Sequence, residues 1–359
     1  MVVKEISGDC PAIDITEARS GRVGADICVA VCTRDRVKQL RRALRSLVEQ
    51  AVPPAEILVV DNAPRNDCTR VLVGEEFPSV RYVRELVLGL DFARNRALRE
   101  AQSEIVAFLD DDAVADRGWV ESMQKAFLEH PRAGVCTGRI DALSVETEAQ
   151  RAFEANGGLM AQGSERLRLP ADARRQVWRW RYAPSIAWAA SLGSGCNLAV
   201  RRTFAIQIGG FDEALDLGPA LPGGGDNDMV WRMLEAGAEV VYEPAARVRH
   251  EHRRDLGAIF DQIVGHQRAL IALVSKAAVR SRGARRLPVL AFLCWRLVKP
   301  GVRLLRRAAG RDPLPAAVLL RVWWHCWRGL GAYSAARRVA WRRVSEAGRS
   351  RCALPLEMG

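Results

Sequence analysis

Short apolar runs alternate with amphipathic stretches through the first 130 residues. Residues 26–32 (DICVAVC) are apolar and β-branched, the pattern of a buried strand. Residues 37–49 then place Leu40, Ala43, Leu44, Leu47 and Val48 on one face, with Lys and Arg opposite. That spacing predicts a helix, stopped by Pro53 and Pro54. Residues 56–60 (EILVV) read as a second strand ending at Asp61, and 80–83 as a weaker third. Residues 92–101 return to helical spacing, 105–109 (IVAFL) form a strand stopping at Asp110, and 118–130 are helical again. This alternation predicts an α/β fold with a mostly parallel sheet flanked by helices.

The pattern changes beyond residue 150. Residues 150–194 mix Trp178, Trp180, Trp188 and many arginines with glycines, which predicts loops and short helices. A strand at 197–200, a helix at 203–208, a helix at 226–236 and a strand at 239–242 follow. After His252 the chain reads as helical almost to its end, interrupted by Pro288, Pro300, Pro313 and Pro315. The expected organisation is a lead-in at 1–24, a domain at 25–270 with halves at 25–125 and 126–270, and a helical extension at 271–359.

Composition sharpens this picture. The chain has 359 residues, 49% of them hydrophobic and 27% charged, enough for a sizeable core. Nine cysteines without a C-x-x-C pair disfavour a disulfide framework and a cysteine zinc site, and fit a reducing compartment. The first thirty residues carry no secretory signal pattern, and no run is long and apolar enough to predict a spanning helix. The expected location is cytoplasmic, on the inner face of the cell membrane if the extension binds there. The Ala- and Arg-rich composition fits a bacterial source.

The formal charge of +12 is concentrated at one end. Residues 276–351 hold nineteen Lys and Arg against Asp312 and Glu346, so the rest of the chain is net acidic. Trp295, Trp323, Trp324, Trp327 and Trp341 lie among those arginines. Residues 287–305 and 316–330 can each form an amphipathic helix, which suits an anionic membrane surface. The alternative is that these helices pack on the main domain with solvated arginines. Nucleic acid is not expected as a partner, because no nucleic-acid module accompanies the charge.

Several acidic turns are candidates for chemistry. Asp110, Asp111 and Asp112 end an apolar strand, and three adjacent carboxylates repel one another unless a cation sits among them. Hard divalent cations such as Mn²⁺ or Mg²⁺ take such oxygen ligands and share phosphate oxygens. In extended chain Asp110 and Asp112 face the same way. A solvated acidic turn or a helix-capping cluster is the plainer alternative. Asp61 ends the second strand and is equally readable as a turn residue. Gly223-Gly224-Gly225-Asp226-Asn227-Asp228 opens a helix, with Asp226 either a cap or a general base. His250-Glu251-His252 could present both rings to one side as metal ligands, or be surface histidines. P-loop, H-E-x-x-H, G-x-S-x-G and G-x-G-x-x-G signatures are absent, which disfavours P-loop NTPases, zincins, α/β-hydrolases and dinucleotide-dependent dehydrogenases.

Taken in order, VAVCTRDR (29–36), ILVVDNAP (57–64), GLDFARNRAL (89–98), VAFLDDDAVAD (106–116), GSGCNLAVRR (193–202), GGFDEAL (209–215), GGGDNDMVWRML (223–234) and VRHEHRRD (248–255) resemble family 2 glycosyltransferases of the GT-A fold. The resemblance covers roughly 28–260. It implies a GT-A-type, Rossmann-like domain that moves a sugar from a nucleotide-sugar donor to an acceptor hydroxyl, with inversion. The acceptor would be a glycan, a lipid-linked molecule or a small molecule, in envelope polysaccharide, glycolipid or related synthesis. The resemblance makes 25–125 the nucleotide-sugar half and 126–270 the acceptor half. It implies that Thr33, Arg34, Arg36 and Asp61 hold the nucleoside and that Arg94 and Asn95 line the donor pocket. Asp110 and Asp111 would lie by the donor. Asp112, with Asp110 and His250, would bind Mn²⁺ or Mg²⁺. Asp226 aligns with the general base; the Glu that usually precedes it is Gly225 here, which keeps Asp228 as second choice. A sugar nucleotidyltransferase and a non-catalytic glycan-binding member of the same fold are the alternatives. The first would need a glycine-rich basic loop where Thr33 to Arg36 stands, and the second is disfavoured by the intact acidic residues.

Overall fold

A computed structural model describes residues 26–159, 165–169, 183–192 and 194–352, with side chains to residue 348. The lead-in expected at 1–24, Trp178 and Trp180 lie outside the described residues. The first half is β1 (Ile27–Thr33), α1 (Val37–Val48), β2 (Glu56–Asn62), α2 (Cys68–Glu76), β3 (Arg81–Glu85), α3 (Leu90–Glu100) and β4 (Ile105–Leu109). A short β5 (Ala113–Ala115), α4 (Trp119–Glu129), β6 (Ala133–Ala142), α5 (Glu148–Ala155) and β7 (Leu167–Leu169) come next. They are followed by α6 (Ser185–Leu192), β8 (Asn197–Arg201), α7 (Arg202–Gln207), α8 (Gly225–Glu235) and β9 (Glu239–His250). Four helices close the chain: α9 (Leu256–Arg280), α10 (Arg286–Ala308), α11 (Ala316–Gly329) and α12 (Ala332–Cys352).

The strands form one sheet in the order β3-β2-β1-β4-β8-β6-β9-β5, with β7 added on β9. Strands β3, β2, β1 and β4 are parallel, as the βα alternation requires. Beyond them the sheet is mixed, because β8 runs antiparallel to both β4 and β6 while β6 and β9 are parallel. Successive residues of the central strands feed two different cores. Ile27, Val29 and Val31 pack with α1 and α4, whereas Cys28, Ala30, Val106 and Phe108 pack with α3, α8 and α9. Both faces are therefore covered, which explains why these strands read as unbroken apolar runs.

The C-terminal helices are joined to this body. The boundary expected between 270 and 271 falls inside α9, which runs unbroken from Leu256 to Arg280. Ala269, Ala272, Leu273 and Ala277 of α9 enter the main core. Ile259, Ile263 and Ile271 meet Leu314, Val318, Leu319 and Val322 from the α11 end of the chain. Gly329 lets α11 approach α9 closely; a Cβ there would lie 2.7 Å from that of Ile271. Two of the expected interruptions do not occur. Pro288 sits in the first turn of α10, where a missing N–H costs nothing, and Pro300 is buried inside the same helix, which its packing carries through. The outer face is different: Trp324, Trp327 and Trp341 are more than half exposed. Among the described residues no helix is long and apolar enough to cross a membrane.

Lys276 of α9 ties this arrangement together. Its buried ammonium lies 2.5 Å from Asp212 and 2.5 Å from Asp228 of α8, and Asp212 also accepts from the Tyr333 hydroxyl of α12 at 2.6 Å. Replacing Lys276 by methionine leaves the buried Asp228 and the partly exposed Asp212 short of a partner. The expected cost is about 3–5 kcal/mol, read as a lower urea midpoint at pH 7. Burial raises the Asp212 pKa, but the Lys276 charge and the Lys276 and Tyr333 hydrogen bonds hold it below 3.8. That stabilisation is present above 3.8 and is lost as pH falls through the lower folded-state value.

Candidate functional site

The carboxyl ends of β1, β2 and β4 lie side by side, so the loops that follow them share one crevice. After β1 the chain turns through Asp35 at φ 55°, a left-handed conformation that Asp tolerates better than most residues. The turn brings Arg36 back over the turn after β4. Arg36 reaches Asp111 at 2.5 Å and Asp112 at 2.9 Å, and the Thr33 hydroxyl donates to Asp111 at 2.8 Å. Burial pushes the Asp111 carboxyl up to about 7 against the pull of the Arg36 charge.

The other end of the sheet supplies the third side. β9 pairs with β5 so that His250 lies opposite Ala113, and the Glu251 N–H donates to the Asp112 carbonyl at 2.9 Å. This places His250 Nε2 3.0 Å from Asp112 Oδ1. One ligand atom each from Asp110, Asp112 and His250 lies within 4.8 Å of the others. Burial, then the neighbouring Asp112 charge, raises the Asp110 pKa. Burial also disfavours the Asp112 anion, but the hydrogen bond and charge of His250 and the charge of Arg36 outweigh it and hold that carboxyl well below the usual range. Burial likewise opposes protonation of His250, and its bond to Asp112 overrides this and raises its pKa. Two carboxylates and one imidazole converging, with Arg36 on the other Asp112 oxygen, make a donor set that fits a divalent metal ion such as Mn²⁺.

Two cavities open on this cluster from different sides. The first, of about 820 Å³, is lined by Thr33, Arg34, Arg36, Asn62 and the whole acidic triplet. The second, of about 1,110 Å³, lies between the Ser194–Cys196 turn, the start of α8 and helices α9 and α10. Leu90, Asp110, His250 and Gln262 line both, so the cavities meet at the acidic cluster.

Asp226 lines the second cavity. Gly224, at φ 101°, turns the chain into α8, and the Asp226 carboxylate accepts the Gly195 N–H at 2.7 Å and the Asn227 N–H at 2.7 Å. Below the Gly195 turn Arg94 is buried between Asp91, at 2.9 Å, and Asp216, at 3.5 Å. Burial raises the pKa of both these carboxyls, that of Asp216 to about 6. Asp91 also explains the missing Glu: a Cβ on Gly225 would lie 1.9 Å from the Asp91 carboxylate. A side chain at 225 would have to displace the Asp91 carboxylate from its buried place.

Several expected positions lie elsewhere. Asp228 is fully buried, with one oxygen on Lys276 and the other on Arg232 at 2.7 Å, and lines neither cavity. Asn95 lines neither cavity; it holds the Phe211 N–H at 2.7 Å, the Phe211 carbonyl at 3.0 Å and Glu213 at 3.0 Å. Arg94 reaches the second cavity rather than the first. Asp61 is wholly buried beneath the first cavity's neighbour Asn62 and accepts from the Tyr82 hydroxyl at 2.9 Å. His252 lines the first cavity beside the cluster: its Nδ1 lies 3.4 Å from that of His250, its Nε2 meets Glu154 at 2.7 Å, and its ring packs edge-on against Phe153. The sequence reading missed Asp91, Asp216, Gln262 and His266. Asp91 and Arg94 are three apart on a helix, and Gln262 and His266 four apart on another, which are the spacings that would have shown them. Asp216 comes from a loop with no pattern.

Comparison with known proteins agrees with the architecture. The profile of glycosyl transferase family 2 matches residues 28–207. A pre-mycofactocin glycosyltransferase of Mycobacterium tuberculosis is 30% identical over 243 residues, covering 66% of this chain and 45% of that protein. A probable N-acetylgalactosaminyltransferase 9 of Caenorhabditis elegans is 26% identical over 246 residues, covering 63% of this chain and 39% of that protein. The chain thus spans less than half the length of these curated relatives. Among solved structures, a mannosyltransferase from Pyrobaculum calidifontis in complex with GDP-Man and Mn²⁺ superposes with a TM-score of 0.52 at 19% identity, over 89% of this chain and 90% of that one. That likeness is one of fold, of the GT-A type. With the family profile spanning half of its residues, β1 through α7, the chain belongs to glycosyl transferase family 2.

Proposed function

We propose that this protein is a metal-dependent, inverting glycosyltransferase that moves a sugar from a nucleotide-sugar to an acceptor hydroxyl. The observation that carries this reading is the meeting of two cavities at one acidic cluster. The first cavity takes the nucleoside diphosphate and the second the acceptor, so the anomeric carbon lies at the seam. Thr33, Arg34 and Arg36 receive the nucleotide, with Asp61 supporting the loop from beneath. Asp110, Asp112 and His250 would hold Mn²⁺ or Mg²⁺, which neutralises charge on the departing diphosphate when bound. Arg36 orients the triplet by bridging Asp111 and Asp112.

Asp226 acts as the base. The acceptor oxygen bonds to the anomeric carbon as the bond to the diphosphate oxygen breaks; Asp226 takes the hydroxyl proton and the nucleoside diphosphate leaves. Attack from the second cavity, opposite the leaving group, gives inversion. The Gly195 and Asn227 N–H groups fix the carboxylate, and the Asp91–Arg94–Asp216 set supports the Gly195 turn. The family match favours this over a sugar nucleotidyltransferase, and the intact triplet and Asp226 favour it over a non-catalytic role. The test is a donor panel with Mn²⁺, read by mass spectrometry. Free nucleoside diphosphate should appear with at least one donor and be suppressed by EDTA; no consumption of any donor would count against it.

The outer face of α10 to α12 is proposed to rest on an anionic membrane surface. More than half exposed, Trp324, Trp327 and Trp341 lie in helices rich in arginine, as interfacial helices require. The chain should sediment with phosphatidylglycerol vesicles and less with phosphatidylcholine alone. Replacing Trp324, Trp327 and Trp341 by alanine should weaken this binding several-fold; unchanged sedimentation would mean that the face serves another purpose.

A further inference from the structure

The second cavity carries information about the acceptor that the reaction alone does not. Asp226 lines it, and its charge reaches His266 on α9. The lining has an apolar part, Ala187 and Ala190 of α6, Leu270 and Leu273 of α9 and Phe292 of α10. α10 adds Arg296 and Lys299, one turn apart.

These cations lack carboxylate partners. Arg296 donates only to the neutral amide of Gln267, and Lys299 makes no hydrogen bond or ion pair among the described residues. The nearby acid, Asp312, is already held at 2.7 and 2.8 Å by Arg303. Burial, then the charges of Arg296, Arg303 and Arg306, holds the Lys299 amine down to about 8. Half-buried like charges that line a cavity are relieved by an anion entering from it. The volume of about 1,110 Å³ exceeds that of most small-molecule sites, leaving room for an extended body.

We propose that the acceptor is an amphipathic acid: a hydroxyl that reaches Asp226, an apolar body along α6, α9 and α10, and a carboxylate or phosphate held by Arg296 and Lys299. This rests on the transferase reading for the role of Asp226, but the ligand class can be measured by binding alone. The full-length protein with Mn²⁺ is titrated calorimetrically with ω-hydroxylaurate, the monophosphate of the matching diol, the neutral diol itself, and hydroxypropanoate. The chain-bearing acids should bind at least about tenfold tighter than both the diol, which lacks the charge, and hydroxypropanoate, which lacks the chain. The tighter of the two acids identifies the head group. In the double variant Arg296→Gln, Lys299→Gln the acids should fall to the affinity of the diol measured on that same variant. Equal binding of acid and diol to the wild type, while a nucleotide-sugar is still hydrolysed, overturns the inference and leaves the transferase reading standing. Preferential acid binding with no donor consumed supports the ligand class and overturns the transferase reading.

Discussion

Asp112→Ala is expected to abolish metal-dependent nucleotide binding, lowering the affinity for a nucleoside diphosphate in Mn²⁺ by about 100-fold or more. Asp112 does three things at once. It offers a carboxylate to the candidate metal position beside Asp110, accepts from His250 at 3.0 Å, and anchors Arg36 at 2.9 Å. Its loss removes a ligand, leaves the His250 ring held only through His252, and leaves Arg36 held by Asp111 alone. Asp112→Asn keeps the shape and removes the charge, so it should fall nearly as far. Calorimetry with Mn²⁺ and with EDTA reads the effect, and a melting curve checks the fold. Nucleotide affinity that is equal in wild type and variant, and insensitive to EDTA, would show that the cluster holds no metal for the donor.

Asp226→Asn is expected to bind the donor as the wild type does and to transfer about 10²- to 10⁴-fold more slowly. The carboxylate lines the second cavity while the nucleotide loops line the first, so the two functions are spatially separable. An amide preserves volume and part of the hydrogen bonding from Gly195 and Asn227 but has no basicity for the acceptor proton. Single-turnover rates with a bound donor isolate the step. Asp228→Asn is the informative companion: it should fail through stability, because Asp228 neutralises buried Lys276 and Arg232 rather than facing substrate. Full turnover in Asp226→Asn would move the base elsewhere.

The contrast between these two aspartates shows where one-dimensional reading ends. Residues two apart on a helix point to nearly opposite sides, so Asp226 and Asp228 are equivalent as sequence and unlike as structure. The parallel half of the sheet was legible because its strands are covered on both faces and need uninterrupted apolar residues. Strand β9 was legible only at 239–242, although it continues to His250. Pro244, Arg247 and Arg249 interrupt its apolar pattern, since that stretch is covered on one side alone. The triplet and the histidine pair stood out by residue type, but each kept a plainer alternative until the family resemblance joined Asp110, Asp112 and His250 in one site. Arg94 and Asn95 were read as a pair lining the donor. They sit a third of a turn apart on buried α3, one beneath the Gly195 turn and the other capping Phe211. What Asp91 and Asp216 contribute depends on chain-distant packing, and Gly225 acquires its meaning only once Asp91 is seen against it.

The account stands or falls on a single cation shared by Asp110, Asp112 and His250 and touching the diphosphate at the seam of the two cavities. Anomalous scattering from crystals grown with Mn²⁺ and a nucleoside diphosphate measures this directly. The predicted result is one strong manganese peak among those three side chains, with phosphate oxygens completing its coordination. A fully bound nucleotide whose manganese lies elsewhere, or which binds with no metal beside Asp112, would contradict it.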